Sequence, residues 1–383
     1  MSPAERWVLQ LCHGYDGPFL DCARQYAVLF AGTQYKVCTV YLTGAPSEEV
    51  VQGSASDDVV FLGYDSRHVR GLKLGAIRKL RKIVAGRNFR LCIAHRFKPI
   101  YIALLATRLP VIGVHHAFGV YNRPMRRWFV NHFRARLLLL GVSNAVRDEM
   151  RADLPGWEST RVETLYNRID VAAVQTEQIS RLGARTALQL PLDAWVVGNA
   201  GRLHPDKDQA TLIRGFAQAL PRLPVGSLLA IMGSGQLEAP LRQLAESLGI
   251  ADQVRFLGHV RHGRRYFKAF DLFVLTSDHE PFGMVLLEAI AAKVPVVCTD
   301  CGGGREVVEG VGKLFPLGDS AALATELVKA AQLDPGSAQS AASTLEHLTE
   351  RFSDARAQRD FNTILSKAFF TDDSVRHVHF YVE

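Results

Sequence analysis

The sequence predicts an α/β protein built from two doubly wound parallel sheets with a crevice between them. Short apolar runs alternate with helical patterns along the whole 383-residue chain. The alternation restarts after residues 165–170, and strand–helix–strand repeats of this kind form parallel sheets. We therefore expect a first domain at residues 1–168 and a second at residues 169–351. A C-terminal helix and tail at residues 352–383 should pack back toward the first domain.

The first series of elements follows from hydrophobic periodicity. Continuous apolar runs are typical of strands that are buried on both faces of a parallel sheet. They lie at residues 8–12, 37–41, 59–62, 91–94, 111–115 and 137–142. Helical spacing lies between them, at residues 19–30, 69–84, 100–107, 124–133 and 144–151.

The second series repeats the pattern and ends in one more helix. Its strands are expected at residues 195–200, 228–232, 254–257, 271–276 and 294–298. Its helices are expected at residues 209–220, 237–248, 264–270, 284–292 and 321–331, and a last helix at residues 352–368. We assign no structure to the tail at residues 374–383.

Composition excludes several classes of protein. With 48% hydrophobic and 22% charged residues, the chain resembles an ordinary soluble globular protein. We expect no signal peptide and no membrane span, since no apolar run approaches about 18 residues. The six cysteines are scattered, as in proteins of a reducing compartment. We expect a cytoplasmic protein.

Two glutamates separated by seven residues, Glu280 and Glu288, are the most informative feature. An apolar strand precedes Glu280, and a helix-forming run begins at Met284. The turn therefore lies at the carboxyl edge of the second sheet, where α/β folds bind ligands. Gly283 lets a bound group approach the backbone, free amides at the helix start favour an anion, and the carboxylates can accept hydrogen bonds from sugar hydroxyls. This combination indicates a nucleotide-sugar.

A second loop at the same edge carries positive charge. Gly201, Arg202 and Lys207 follow the first strand of the second domain, and an arginine with a lysine can bind a diphosphate. Gly233 belongs to another glycine turn at a strand end. The residues 206–208 read Asp-Lys-Asp, for which helix capping is favoured over metal binding. We expect no cofactor and no required metal, because Arg202, Lys207 and a helix terminus already supply positive charge. Residues 301–306 form a further glycine turn, where Glu306 either accepts hydrogen bonds or caps a helix.

The charge of the chain is concentrated in the first half. Up to Arg168 there are 24 basic and 13 acidic residues, and residues 66–147 carry 18 basic residues and no acidic one. This distribution favours an anionic partner, either a phosphorylated acceptor or an anionic membrane surface. A basic face that only contacts solvent is the less favoured interpretation. Arg123, Arg126 and Arg127 are the candidate acceptor-binding residues. A nucleic-acid partner is excluded, because it would leave the Glu280 segment unexplained.

These motifs together resemble the retaining glycosyltransferases of family 4. The resemblance rests on Glu280-x7-Glu288, Gly201-Arg202-Leu203-x3-Lys207, Gly302-Gly303-x2-Glu306 and Tyr166-Asn167-x-Ile169-Asp170, and it is strongest over residues 141–308. It implies the GT-B architecture, in which two Rossmann-like domains enclose an interdomain cleft. Arg168 departs from the glycine that is usual in the last of these motifs.

The resemblance also implies roles for individual residues. Glu280 would contact donor-sugar hydroxyls, Glu288 would hold the ribose, and Arg202 with Lys207 would neutralise the departing diphosphate. The backbone around Phe282, Gly283, Met284 and Val285 would hold sugar and phosphate oxygens. The base would border the strand end from Leu257 to Val260.

In the first domain, two further positions match the family. The loop at residues 13–18, with Gly14 and Tyr15, would meet the donor and the acceptor, although it lacks the usual paired glycines. A histidine at a strand end would lie near the anomeric carbon; His115 is assigned to it, and His116 stays open. The catalytic set is therefore His115, Glu280, Arg202 and Lys207.

The function that the sequence indicates is transfer of a hexose-type sugar from a nucleoside diphosphate, with UDP favoured, to an acceptor hydroxyl with retention. The acceptor is an anionic glycan or glycolipid, for example a bacterial lipopolysaccharide core, which would bring the enzyme to the inner face of the membrane. The alternative is a nucleotide-sugar epimerase of the same architecture. The identity of the sugar, the linkage and the oligomeric state stay open.

Overall fold

The computed structural model describes residues 5–65, 69, 71–333 and 338–369, without the side chains of residues 338–342. The chain divides into two compact units, at Asn167–Arg168 and again at Ser353–Asp354. The tail expected at residues 374–383 lies outside the described residues, as do the basic residues Arg67 and Arg70.

The first unit contains a seven-stranded parallel sheet in the order β3-β2-β1-β4-β5-β6-β7. Its strands are β1 Arg6–Cys12, β2 Tyr35–Thr43, β3 Asp58–Tyr64, β4 Phe89–His95, β5 Val111–His115, β6 Leu137–Gly141 and β7 Val162–Thr164. Its helices are α1 Phe19–Ala27, α2 Glu48–Gly53, α3 Leu74–Ala85, α4 Phe97–Ala106, α5 Pro124–His132 and α6 Asn144–Asp153. All five residues of β5 and of β6 are buried, as expected of central parallel strands.

The second unit contains a six-stranded parallel sheet in the order β10-β9-β8-β11-β12-β13. Its strands are β8 Val196–Ala200, β9 Leu228–Met232, β10 Val254–Gly258, β11 Leu272–Leu275, β12 Val296–Thr299 and β13 Lys313–Phe315. Its helices are α7 Val171–Glu177, α8 Arg181–Ala187, α9 Gln209–Ala219, α10 Glu238–Ser247, α11 Met284–Ala291, α12 Gly302–Val308, α13 Ser320–Ala331 and α14 Ala338–Phe352. The apolar faces of α9 and α13 pack together over β8 and β9.

The last helix, α15 Asp354–Phe369, belongs to the first unit. Asp354 accepts a hydrogen bond from Arg24 at 3.1 Å, and the rings of Phe361 and Phe30 meet edge to face with centroids 5.8 Å apart. Phe361 is almost fully buried. The helix is therefore anchored by an ion pair at its start and by an apolar contact along its length.

The two parallel sheets confirm the predicted fold class, and the differences are local. The edge strands β7 and β13 were not predicted, because three-residue strands carry too little periodicity. The helix expected over residues 69–84 begins at Leu74, after Lys73 in a left-handed conformation with φ 56°. Residues 263–269 form 3-10 turns where an α-helix was expected.

The predicted glycine turn at residues 301–306 is wrong, because Gly302 begins the helix α12. A β-carbon at Gly303 would lie 2.3 Å from the carbonyl oxygen of Pro281. The glycines thus let the helix start pack directly on the Glu280 segment, and the amide of Gly303 donates to the carbonyl of Glu280 at 2.8 Å.

Candidate active site

The candidate site of the second unit lies where the order of its sheet reverses. The chain runs from β8 to β9 and β10 on one side, and then returns to place β11 against the other side of β8. The loops that follow β8 and β11 consequently part at the carboxyl edge, which is where doubly wound sheets bind ligands. The loop after β8 carries Lys207, and the loop after β11 carries Glu280.

An ion pair joins these two loops. Lys207 Nζ lies 2.7 Å from Glu280 Oε2 and 3.3 Å from Ser277 Oγ. Ser277 also donates to the same carboxylate oxygen at 3.2 Å. Both partners are largely buried, with side-chain exposures of 17% and 11%. The ammonium and the carboxylate both contact the same hydroxyl and are largely shielded from solvent. They therefore form a preorganised charged pair.

The backbone fixes the pair from both sides. Thr276 Oγ1 donates to the carbonyl of Lys207 at 2.8 Å, and the amide of Asp278 donates to the carbonyl of Asp206 at 3.1 Å. Residues 205–207 form a 3-10 turn, after which Asp208 caps α9 by accepting from the amide of Thr211 at 3.2 Å. These contacts hold the backbones of the two loops together, so that Lys207 and Glu280 extend toward each other from fixed positions.

The start of α11 provides backbone donors beside the pair. Gly283 precedes the helix with φ 94°, and the amides of Met284 and Val285 fall in the first turn, where a helix has no acceptors of its own. The ring of Phe282 is buried and meets Phe352 with centroids 5.7 Å apart. Phe282 therefore anchors the turn, while the backbone around it is available to an anion.

A cavity of about 260 Å³ opens at the ends of β8, β9 and β10, at the same edge of the sheet. Five of the predicted donor-binding residues line it, namely Gly201, Arg202, Gly233, Val260 and Glu288. Gly201 connects the cavity to the ion pair, because a β-carbon there would lie 3.8 Å from Cγ and Cδ of Lys207. The other predicted donor-binding residues of the second unit are not among the lining residues, namely Lys207, Leu257, Glu280, Phe282, Gly283, Met284 and Val285.

Close backbone packing shapes the floor of the cavity. Gly233 has φ 141°, and a β-carbon on it would lie 1.8 Å from the carbonyl oxygen of Gly201. Its amide donates to the carbonyl of Gly258 at 2.8 Å, and the amide of Gly201 donates to Met232 at 2.9 Å. The ends of β8, β9 and β10 are thereby locked together without side chains between them.

Sequence reasoning missed part of the lining. The cavity also contacts Ala200, Met232, Ser234, Gly263, Arg264 and Phe267, and it contacts His259, which lies in the predicted segment from Leu257 to Val260. Arg264 forms a two-pronged ion pair with Glu177, at 2.8 and 2.7 Å, and its carbonyl accepts from Gln178 at 2.7 Å. The available signal was the position of Gly263 and Arg264 just beyond β10, at the same edge as the other loops.

Arg202 is the most exposed of the predicted charged groups. Its side chain is 71% exposed, and its guanidinium lies 3.5 Å from Asp206. An exposed pair of this kind adds little stability. Arg202 is therefore free to turn toward a ligand in the cavity that it lines.

The predicted residues of the first unit lie at the carboxyl edge of its own sheet. Tyr15 donates to the carbonyl of Ala45 at 2.8 Å, and its ring packs on Tyr41. His115 ends β5 and is buried, with Nε2 2.9 Å from the hydroxyl of Tyr121. Burial, followed by the charges of His116 and Arg126, lowers the pKa of His115 to about 3, so its imidazole is neutral at pH 7.

The three arginines proposed to bind the acceptor differ in their surroundings. The guanidinium of Arg126 lies 4.8 Å over the ring of Phe97 and donates to the carbonyl of Val120 at 3.0 Å, so it also stabilises the local fold. Arg123 is exposed at the start of α5. Two large apolar side chains on this helix are exposed as well, Met125 at 74% and Trp128 at 63%.

Solved structures share this arrangement of two parallel-sheet units. A glycosyltransferase from Rickettsia africae ESF-5 superposes with a TM-score of 0.80 at 14% identity, covering 96% of this chain and 100% of that one. Anabaena Alr3699/HepE in complex with UDP and glucose superposes with a TM-score of 0.76 at 21% identity, over 95% of this chain and 100% of the other. The predicted GT-B fold is thereby confirmed.

Two family models match, one on each unit. The model of Glycosyltransferase Family 4 matches residues 24–173, and the model of Glycosyl transferases group 1 matches residues 183–343. The two units thus carry group 1 and family 4 glycosyltransferase domains, as the motifs of the chain predict.

Curated relatives match over shorter segments. The lipopolysaccharide core biosynthesis glycosyltransferase LpsE of Rhizobium meliloti is 42% identical over 115 residues, which are 30% of this chain and 32% of LpsE. LpsD of the same organism is 34% identical over 146 residues, 38% of this chain and 41% of LpsD. The chain thus matches less than half of the length of each of these relatives.

Proposed function

We propose that this protein transfers a hexose-type sugar from a nucleoside diphosphate sugar to an acceptor hydroxyl, with UDP as the favoured carrier. The observation that carries the proposal is the ion pair of Lys207 and Glu280 at the switch point of the second sheet. A diphosphate bound at the start of α11 would take Lys207 as a partner, and the freed carboxylate of Glu280 would accept hydrogen bonds from sugar hydroxyls. The UDP bound in the Anabaena structure supports this choice of carrier.

The charges around the cavity suggest how the leaving group is stabilised. As the glycosidic bond breaks, negative charge develops on the diphosphate, and Lys207, Arg202 and the amides of Met284 and Val285 are the donors that would receive it. Such preorganised donors are usually the largest contribution to catalysis of this type. We propose that they act without a required metal, and that Glu288, which lines the cavity, holds the ribose.

We further propose that the configuration at the anomeric carbon is retained. The family that the motifs resemble is thought to use a same-face displacement, in which the leaving phosphate would take up the proton of the acceptor hydroxyl. Among the described residues of the first unit, we identify no carboxylate nucleophile. His115, neutral at pH 7, would serve as a hydrogen-bonding group there rather than as a cation.

The acceptor is proposed to be an anionic glycolipid, such as a lipopolysaccharide core. The acid-free basic span at residues 66–147 and the matches to LpsE and LpsD support this choice. Arg123, Arg126 and Arg127 are its proposed ligands, at the inner face of the cytoplasmic membrane. Among the described residues, no helix combines the length and the apolar character that a membrane span requires.

The test is a thermal-shift titration of the full chain with UDP, GDP, ADP and their sugars. A ligand that binds only the native state raises the unfolding midpoint. UDP should stabilise the wild type, and Lys207→Ala, Arg202→Ala and Glu288→Ala should each lose most of that shift. Arg214→Ala, which removes an exposed arginine of α9, should keep it.

Turnover completes the test. Each of the three site variants should lower transfer at least about tenfold, equivalent to ~1.4 kcal/mol of transition-state stabilisation. Incubation with donor alone separates the alternative, since an epimerase would convert the sugar and a transferase would release it slowly by hydrolysis. Equal nucleotide shifts in wild type and all three variants would overturn the proposed site.

A further inference from the structure

We propose that the first unit holds a second anion-binding site, formed by His13, Arg96 and Lys98, which takes a phosphate or carboxylate of the second substrate. The inference rests on the proposed glycosyl transfer and specifies the acceptor as one that carries an anionic group next to the reacting hydroxyl. It adds this anion contact to those proposed for Arg123, Arg126 and Arg127.

Topology places these residues at a switch point. In the first sheet, the chain runs from β1 outward to β2 and β3, and β4 then returns to the other side of β1. The loops after β1 and β4 therefore part at the carboxyl edge, as the loops after β8 and β11 do in the second sheet. His13 begins the loop after β1, and Arg96 follows β4 directly. The same rule that locates Lys207 and Glu280 thus locates His13, Arg96 and Lys98.

The backbone of Arg96 is held in a conformation that disfavours arginine. With φ 74° and ψ 163°, it occupies a region that only glycine adopts without strain. The amide of Arg96 donates to the carbonyl of Val114 at 2.8 Å, which fixes the residue between β4 and β5. A side chain kept at such a position indicates that its guanidinium serves a purpose other than folding.

The guanidinium itself is oriented by an aromatic ring. Its central carbon lies 3.6 Å from the ring centroid of Phe19, the first residue of α1. Because the ring covers one face of the planar guanidinium, the N–H groups along its edges stay available to bind a phosphate or carboxylate. Lys98, two residues further on, is exposed and adds a compact positive charge.

The loop after β1 is held equally firmly. The carbonyl of His13 accepts from the amide of Thr43 at 2.9 Å and from its hydroxyl at 2.7 Å. A β-carbon at Gly14 would lie 2.7 Å from the same hydroxyl, so only glycine fits this approach. The site is therefore built on fixed loops and does not require an ordering step.

The charges in this place lack a counter-ion. Within the described part of the chain, no carboxylate lies within ion-pair distance of Arg96 or Lys98, and Nδ1 of His13 is buried without a hydrogen-bond partner. Burial and the charges of Lys98 and Arg96 lower the pKa of His13, although Asp16 acts in the opposite direction. The local electrostatic potential is positive, and a bound anion would act as the counter-ion of Arg96 and Lys98.

The experiment is a thermal-shift titration of the full chain with inorganic phosphate in the presence of saturating UDP. UDP fills the site of the second unit, so that any further shift reports on another site. Phosphate should raise the midpoint of the wild type, and Arg96→Gln and Lys98→Gln should each remove at least half of that shift. Arg108→Gln should respond as the wild type, because it removes an exposed arginine beyond the opposite end of α4, about 15 Å away for ten helical residues.

A pair of substitutions at Arg96 separates function from folding. Arg96→Gly and Arg96→Gln both remove the guanidinium, and only glycine relieves the backbone strain. Arg96→Gly should therefore unfold at a higher temperature than Arg96→Gln, while both lose the phosphate response.

Three results would overturn the inference: no phosphate shift in the wild type, an undiminished shift in Arg96→Gln and Lys98→Gln, or a shift that saturating UDP abolishes. The last would place the phosphate in the donor site. The UDP shift itself should be unchanged in the Arg96 variants. Its absence in the wild type would count against the proposed function alone.

Discussion

Lys207 Nζ and Glu280 Oε2 lie 2.7 Å apart although 73 positions separate the two residues in the chain. The contact joins the loops on either side of the point where the second sheet reverses its order. The nucleotide-sugar proposed to bind there would exchange this ion pair for contacts of its own. The pair therefore contributes to the stability of the free protein and to the reaction in different ways, which substitutions can separate.

Removing one partner of the pair should destabilise the second unit, and removing both should restore much of the stability. Lys207→Ala leaves a largely buried carboxylate with Ser277 as its remaining side-chain donor. In Lys207→Ala/Glu280→Gln that charge is gone, so we expect a coupling energy of about 1–3 kcal/mol in urea unfolding.

Activity should behave differently from stability in this cycle. Both single variants and the double variant should show transfer at least about tenfold below the wild type, because each loses a group that is proposed to contact the donor. Initial rates with a UDP-sugar measure this. A double variant that recovers activity along with stability would show that the pair is only structural.

The backbone packing beneath the cavity gives a second prediction. Gly233→Ala forces a β-carbon toward the carbonyl of Gly201, so we expect a loss of about 2–4 kcal/mol of unfolding free energy and of the UDP-induced thermal shift. Gly249→Ala is the matched control, since Gly249 also has positive φ, 70°, but open space around it. Equal losses in the two variants would mean that the close approach to Gly201 is unimportant.

Sequence reasoning found the loops at the switch point because each motif follows a strong strand signal. Gly201, Lys207, Gly233 and Glu280 could be assigned to one edge from parallel-sheet topology alone. Their mutual distances could not, since the contact of Lys207 with Glu280 depends on the geometry of two loops that are remote in sequence.

The residues that were missed lack a local signal. Arg264 and Phe267 fall in a stretch that reads as an ordinary helix, and the partner of Arg264, Glu177, lies 87 positions away. The helix α12 was hidden by its three glycines, which are poor helix formers. The backbone of Glu280 and Pro281 and the thiol of Cys298 approach these glycines too closely for a β-carbon. Similarly, the sequence does not show whether Arg126 stacks on Phe97 or is free to bind a ligand.

A third prediction concerns metal removal. Because Lys207, Arg202 and the first turn of α11 are proposed to receive the charge of the diphosphate, transfer should be unchanged after dialysis against EDTA. Initial rates before and after dialysis, and after restoring Mg²⁺ or Mn²⁺, measure this. A loss of most activity that a divalent ion restores would contradict the metal-independent proposal.

The fourth prediction follows from His115, a buried histidine of the first unit. His115 has a pKa of about 3 in the folded protein, mainly because burial disfavours its charged form, against about 6.5 when unfolded. Between these values the unfolded chain binds a proton that the folded one does not. The stability that neutral His115 contributes is thus fully present above pH 6.5 and is lost as the pH falls toward 3.

The slope should reach about 1.4 kcal/mol per pH unit for this group. Urea unfolding between pH 7 and pH 4 measures it, and His115→Gln should flatten the pH dependence relative to the wild type. His132→Gln is the control, because His132 is exposed. If both variants keep the wild-type slope, His115 does not carry this pH dependence.

The fifth prediction concerns the exposed face of α5. Met125 and Trp128 are three residues apart, so they share one face of the helix, and the ring of Trp128 stacks on His132 with centroids 6.0 Å apart. Arg123 and Arg127 flank this face in a span of 18 basic residues without an acidic one. Apolar side chains flanked by arginines are typical of surfaces that bind anionic bilayers.

Trp128→Ala/Met125→Ala should therefore bind vesicles with anionic lipids at least about fivefold more weakly than the wild type, since burial of each side chain is worth about 1.5–3 kcal/mol when complete. Leu192→Ala, at an exposed apolar position of the second unit, should bind as the wild type does.

Arg123→Gln and Arg127→Gln should weaken binding at low salt and have little effect at high salt, because their contribution is electrostatic. Vesicle sedimentation measures all four variants, and equal binding by the Trp128 variant and the wild type would leave a phosphorylated acceptor as the reason for the basic span.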